Sequence, residues 1–235
     1  LCVAVTIFLT LTMLVSFSIT GIAATSSAKV NKSPKLLPVD EAYKNADFLK
    51  FRNQMQAAVK SKNVKFIKAH VDKNIKNGFG GNDGIAEFIK QWNLNKNPEK
   101  SSLWYELGEV LRLGGSFTNK EKTSFMAPYV YSSFPEGYDS FTHGVIIGKN
   151  VNLRAKPSAN SKIIAKLNYD IVEVIGPGRL VDRKVANSWR HIKLANGLKG
   201  YVAEKYFRSP VDYRGEFVKS KQDGVWRLTF FVAGD

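Results

Sequence analysis

The sequence predicts an α+β protein: a helical N-terminal unit, then a small barrel or sandwich of short strands, then a C-terminal β-hairpin. Three observations predict it. Apolar residues between positions 48 and 111 recur at helical spacing. From position 143 the apolar residues alternate with polar ones in short runs separated by turn residues. Near the end, E-F-V-K and V-W-R-L-T-F-F-V-A flank Gln222-Asp223-Gly224, the pattern of two strands and a tight turn.

The helical unit spans residues 40–142, connector included. Phe48, Phe51, Met55 and Ala58 share one face of a first helix, with Asp47 as its expected N-cap. Val64, Ile67 and Val71 give a second, shorter helix, and Gly78-Phe79-Gly80-Gly81 breaks the pattern. Ile85, Phe88, Ile89 and Trp92 follow the i, i+3, i+4, i+7 rule behind Asp83, the expected cap. Leu103, Leu107, Val110 and Leu111 make a fourth helix, opened by Ser101-Ser102 and stopped by Gly114-Gly115. Residues 124–135 are aromatic and hold two prolines, and read as a strand or extended arm joining the halves.

The strand-rich unit covers residues 143–208. Val151-Asn152-Leu153-Arg154 is a strand closed by the turn at Pro157, which has no N–H to give to a ladder. Further strands lie at 163–167, 171–175, 189–194 and 200–203, with Asn196-Gly197 as a hairpin turn. Val151, Leu153, Ile163, Leu167, Val172, Val174, Ile192, Leu194 and Val202 fall on its core face. The stretch between Ile175 and Trp189 is longer than a compact barrel needs, and long loops are often functional. Residues 209–235 hold the terminal hairpin, with Phe217, Trp226, Leu228 and Phe230 or Phe231 on its buried side. A lone hairpin is marginal in water, so it must pack on the strand unit or return to the helical unit and interlock the two.

Residues 1–28 carry no charge; they are mostly apolar and end in Ser26-Ser27-Ala28, the pattern of a cleaved signal peptide. The competing expectation is an uncleaved membrane anchor. Residues 29–39 read as a linker. Cys2 is the sole cysteine, so the chain from Lys29 has no thiol and no disulfide, and its core alone must stabilise it. Export places the protein in the periplasm or cell envelope and argues against nucleic acid as a partner. The net charge of +15 would draw it to anionic envelope polymers, although lysine-rich surfaces also arise from composition alone.

The sequence offers no catalytic constellation. His70, His143 and His191 are the only histidines, and none sits in a metal-ligand or triad spacing. Glu106 and Glu109 lie three apart on one helix face, the pattern of a solvated surface more than of a glycosidase pair. No cofactor is expected, and the chain reads as a non-enzyme.

V-N-L-R, P-S, W-R-H-I-K-L and G-L-K-G-Y-V, followed by Tyr206, stand in the order and spacing of one family. Residues 143–208 resemble the bacterial Src-homology-3 (SH3-like) domain; the rest of the chain does not. The resemblance implies a small β-barrel that binds a peptide or a peptidoglycan stem in an aromatic-lined groove. Cell-wall cysteine peptidases carry such domains, but a chain without a thiol past its leader is not one of them. The implied ligand-binding residues are Trp189, Tyr201, Tyr206 and Arg154, with Arg179, Arg183 and Lys184 from the long loop. Each aromatic residue could instead pack the core, and Arg154 could instead bind loop carbonyls and fix the turn at Pro157. The expected function is non-catalytic binding in the envelope, to a cell-wall peptide or an envelope protein. The alternatives are an assembly module of the periplasm and an unrecognised cell-wall hydrolase in the helical unit.

Overall fold

A computed structural model describes residues 33–176 and 188–234. The leader expected over residues 1–28, most of the linker after it and the greater part of the long loop therefore lie outside the described residues. Among the described residues no helix is long and apolar enough to cross a membrane.

Helix α1, Ala46–Lys60, is capped by Asn45, whose side chain accepts the Phe48 N–H at 3.1 Å. The sequence pointed to Asp47, but Asp47 sits in the first turn and pairs with Lys219 at 3.0 Å. Its charge still favours the positive helix end. Asn63 caps α2, Val64–Ala69. Val71 does not continue α2. It opens strand β1, Val71–Lys76, because its neighbours' backbone groups are taken by a distant strand: the Leu228 N–H donates to the His70 carbonyl at 2.8 Å. Asp83, the expected cap of α3 (Ile85–Gln91), turns the other way; Gly84 holds the cap position at φ +93°. The Asp83 carboxylate instead accepts the Asn77 N–H at 3.0 Å and pairs with Lys76 at 3.1 Å, closing the glycine-rich loop. These bonds hold its carboxyl below the usual carboxylate range. Helix α4, Leu103–Arg112, ends where the glycines require it, with Gly114 at φ +65°.

The N-terminal unit is not purely helical. It supplies β1 and two short strands, β2 (Ser116–Phe117) and β3 (Ser124–Ala127), before the single turn of helix α5, Tyr129–Ser132. The C-terminal hairpin, β11 (Arg214–Lys219) and β12 (Trp226–Val232), completes their sheet in the order β1-β12-β11-β3-β2. β1 runs parallel to β12 and the other pairings are antiparallel. The hairpin therefore returns to the helical unit. Phe125, Phe217, Trp226, Leu228 and Phe231 pack from this sheet against Phe48, Met55, Phe88, Trp92 and Leu107 of the helices.

β3 and β11 are direct neighbours, Ala127 opposite Gly215, although residues 128–213 run between them. That intervening stretch folds into a second sheet. Its strands are β4 (His143–Ile146), β5 (Val151–Arg154), β6 (Ile163–Leu167), β7 (Ile171–Val174), β8 (Trp189–Lys193), β9 (Lys199–Ala203) and β10 (Phe207–Arg208). The order is β10-β4-β7-β8-β9-β5-β6. Its first and last strands pair with each other, Phe207 opposite Ile146, so the chain enters and leaves the insertion at one place. Ile146, Val151, Leu153, Leu167, Val172, Ile192, Val202 and Phe207 form its own core. Among the described residues no pairing joins β6 to β10, so the sheet does not close into a barrel. Ile163, expected in this core, is 43 % exposed, because a bulge between Leu153 and Arg154 turns the end of β6 outward, whereas Val174 is half-buried and packs against the core as expected.

A third cluster, Leu36, Leu113, Tyr129, Val130, Val145 and Ile171, packs the end of α4 and α5 against the second sheet. Residues 34–36 clip onto the second sheet: the Leu36 N–H donates to the Tyr169 carbonyl at 2.9 Å and the Ile171 N–H to the Pro34 carbonyl at 2.8 Å. Lys35 pairs with Asp170 at 3.2 Å beside them. Both sheets belong to one compact unit. Burial in this junction pushes the Tyr129 hydroxyl far above the ordinary tyrosine range.

Candidate binding face

Three neighbouring strands build the face that carries the sequence-derived residues. β8 alternates Trp189, His191 and Lys193 outward with Arg190 and Ile192 inward. β9 places Lys199, Tyr201 and Ala203 outward, with Gly200 and Val202 inward. The hairpin register sets Trp189 opposite Ala203, His191 opposite Tyr201 and Lys193 opposite Lys199. Arg154 of β5 stands opposite Tyr201 on the other side. The Ile175 N–H donates to the His191 carbonyl at 3.0 Å, which extends the row to β7. One row across the sheet thus reads Ile175, His191, Tyr201, Arg154, and ends at Ile163 on β6.

Glycine at position 200 makes this closeness possible. A Cβ there would lie 2.8 Å from the Arg154 carbonyl oxygen and 2.9 Å from the Leu153 side chain. Gly200→Ala should cost about 1–3 kcal/mol through overpacking, seen as a lower midpoint in chemical denaturation. A midpoint equal to that of the unsubstituted protein would mean that β5 and β9 are not in this contact.

The central residues of the row have a definite posture. The His191 and Tyr201 rings stack with centroids 4.3 Å apart and planes 9° from parallel. Their centroid line runs between the strands, so both rings stand upright on the sheet, edges and polar tips outward. Arg154 donates from Nη1 to the Ser161 carbonyl at 2.6 Å. That is the turn-fixing bond envisaged as its alternative role, and it commits one arm of the guanidinium. Trp189 is half-buried at the end of β8, beside the long loop. Tyr206 stands apart on the 3-10 turn Glu204–Tyr206. It is 39 % exposed, carries the Lys205 ammonium 5.0 Å from its ring centroid and makes no ring contact with Tyr201. The structure thus brings Trp189, Tyr201 and Arg154 together and leaves Tyr206 outside the group. Arg179, Arg183 and Lys184 lie outside the described residues.

Two features of the face escaped the sequence reading. The sequence marks His191 only as a strand residue, yet it is the direct partner of Tyr201; the available signal is its position two residues after Trp189, on the same face. Beneath them Arg190 donates to Glu204 through Nε at 3.0 Å and Nη2 at 2.6 Å, with its guanidinium 5.0 Å from the Phe207 ring centroid. A charged residue at an inward position of an alternating strand was the readable sign of that pair.

The electrostatics are one-sided. The described residues between 143 and 208 hold ten Lys and Arg against three Asp and Glu. Each of the three acids is taken up in an ion pair: Asp170 with Lys35 at 3.2 Å, Glu173 with Lys193 at 2.5 Å, and Glu204 with Arg190 at 2.6 Å. Lys156, Lys166 and Lys199 are exposed and have no acidic partner among the described residues.

Elsewhere, the described residues hold no group of three or more His, Cys, Asp or Glu able to bind a metal. Glu106 and Glu109, expected to point to solvent, are half-buried, and Glu109 accepts both Arg112 Nε at 2.8 Å and Nη2 at 2.7 Å. His70 stacks on Phe66 at 4.0 Å, with its Nδ1 2.9 Å from the Phe66 carbonyl. No family model matches the chain, and no curated protein matches it significantly.

Proposed function

We propose that this protein is a non-catalytic binding protein of the cell envelope, and that the inserted seven-stranded unit is an SH3-like module whose outer face takes the ligand. The observation that carries the reading is the upright His191–Tyr201 pair, flanked by Trp189 and Arg154 on the outward side of β8, β9 and β5, where all four residues keep part of their surface exposed. Large rings with polar tips give much contact area at small entropic cost, which suits recognition. The ligand class this reading takes is a wall component, peptide or peptidoglycan stem. Placement in the envelope rests on the leader-like residues 1–28.

The test is co-sedimentation of the purified protein with isolated cell-wall sacculi. The expected result is that His191→Ala with Tyr201→Ala lowers the bound fraction at least about fivefold, the loss of one contact worth roughly 1 kcal/mol. Both side chains are on the solvent side, so the melting temperature should move by only a few degrees. Binding that survives the double substitution would remove the outer face from consideration and favour the assembly reading.

A further inference from the structure

We propose that the outer face of β8, β9 and β5 is a docking surface for a phosphate-bearing polymer. The inference rests on the reading of that face as the ligand site for a wall component, and puts a phosphate-bearing polymer in place of the peptide or stem. Its first support is the local charge imbalance. The three acids described between residues 143 and 208 are all consumed in ion pairs, while Lys199, Lys156 and Lys166 have no acidic partner among the described residues. Lys199 lies opposite Lys193, one step along the hairpin from the His191–Tyr201 pair. Lys156 follows Arg154 by two residues, toward the same end of the face. Lys166 stands opposite Asn152, one step beyond Arg154 at the other end. Cations thus flank the aromatic pair at both ends.

The second support is the posture of the rings. The face of an aromatic ring is the electronegative part and its edge the electropositive part. Two rings stacked 9° from parallel and standing on the sheet hide their inner faces against each other. They present outward what attracts an anion: ring edges, the tyrosine O–H and the imidazole. A flat platform for an apolar or sugar ring would need the opposite posture.

Phosphate is favoured over carboxylate by the kind of cation. Planar, bidentate carboxylate recognition is the work of arginine, whereas lysine serves as a point charge for phosphate. Arg154 has already given an arm to Ser161, and Arg190 is buried against Glu204. Among the described residues, the exposed cations left on the outer face are lysines. Exposed charges act in concert only on a ligand with several charges, since each alone is screened within about 10 Å at 0.1 M salt.

Long-chain inorganic polyphosphate is the probe, with binding followed by Trp fluorescence and sedimentation at fixed salt. Polygalacturonate, poly-glutamate and neutral dextran of matched length are the comparisons. Lys156→Glu, Lys166→Glu and Lys199→Glu together should weaken polyphosphate binding at least about tenfold and flatten its salt dependence. Lys50→Glu, Lys60→Glu and Lys65→Glu, the same change of charge on the exposed sides of α1 and α2, should weaken it by less than about threefold. Equal losses in the two triples would reduce the effect to bulk attraction by a basic protein and overturn the proposal. Equal or tighter binding of polygalacturonate or poly-glutamate would overturn it too, in favour of a carboxylate polymer or an acidic peptide. If sacculus binding depends on His191 and Tyr201 while the face triple leaves polyphosphate binding intact, the docking inference fails and the reading of the site stands. If neither probe responds to any substitution on this face, the reading itself fails.

Discussion

Trp226→Ala should lower the melting temperature by roughly 10 °C, the shift for a loss of about 3–5 kcal/mol in a chain of this size. Trp226 is 4 % exposed, with its ring centroid 4.8 Å from Phe48 and stacked at 6.4 Å on Phe51. The tail residue thus fills the middle of a core whose other walls come from the first half of the chain. Removal of so large a ring leaves a cavity that two helices and a sheet cannot collapse into. Trp226→Phe separates volume from hydrogen bonding. The indole N–H is buried without a partner, so phenylalanine keeps most of the packing and removes an unsatisfied donor. A loss under about 1.5 kcal/mol is expected for it. A negligible shift for the alanine variant in a thermal melt would mean that the hairpin is not part of this core.

Arg190→Met should be as damaging, about 3–5 kcal/mol, because it leaves the Glu204 carboxylate buried without its partner. The two side chains are 7 % and 5 % exposed and share two hydrogen bonds. Arg190→Met combined with Glu204→Leu should recover most of the loss, since desolvating two charges nearly cancels their attraction. Chemical denaturation of the single and double variants measures the cycle. A double variant as unstable as the single would show that the pair holds the Glu204–Tyr206 turn by geometry that apolar side chains cannot replace.

The strands of the inserted unit were readable because each carries its own alternation, and because Pro157 and Asn196-Gly197 mark turns by their own backbone chemistry. Gly197 does sit at φ +85°. β1 was not readable. V-D-K-N-I-K holds two apolar residues, and Val71 also completes the helical spacing of Val64 and Ile67. What makes it a strand is the backbone of β12, more than 150 positions away. The caps failed in a related manner: Asp47 and Asp83 are good capping residues, but Asn45 and Gly84 hold the positions, and the carboxylates answer Lys219 and Asn77 instead. For the candidate site, residue identity was legible and grouping was not. Trp189, Tyr201 and Arg154 share one face through pairing register, while the turn at Glu204 sends Tyr206 elsewhere.

The nested order of the two sheets also sets a schedule for synthesis. A ribosome completes every strand of the seven-stranded unit by Arg208, before β11 and β12, which link β1 to β3 in the five-stranded sheet, exist. Helices α1 to α4 must wait, with Phe48, Phe88 and Leu107 uncovered, until Val232 has emerged. A part translated later is thus the keystone of the first, and a chain stopped shortly after position 208 would carry a finished inner unit on a scaffold that cannot close. Such half-built chains expose apolar surface and unpaired strand edges, the substrates on which chaperones and proteases act.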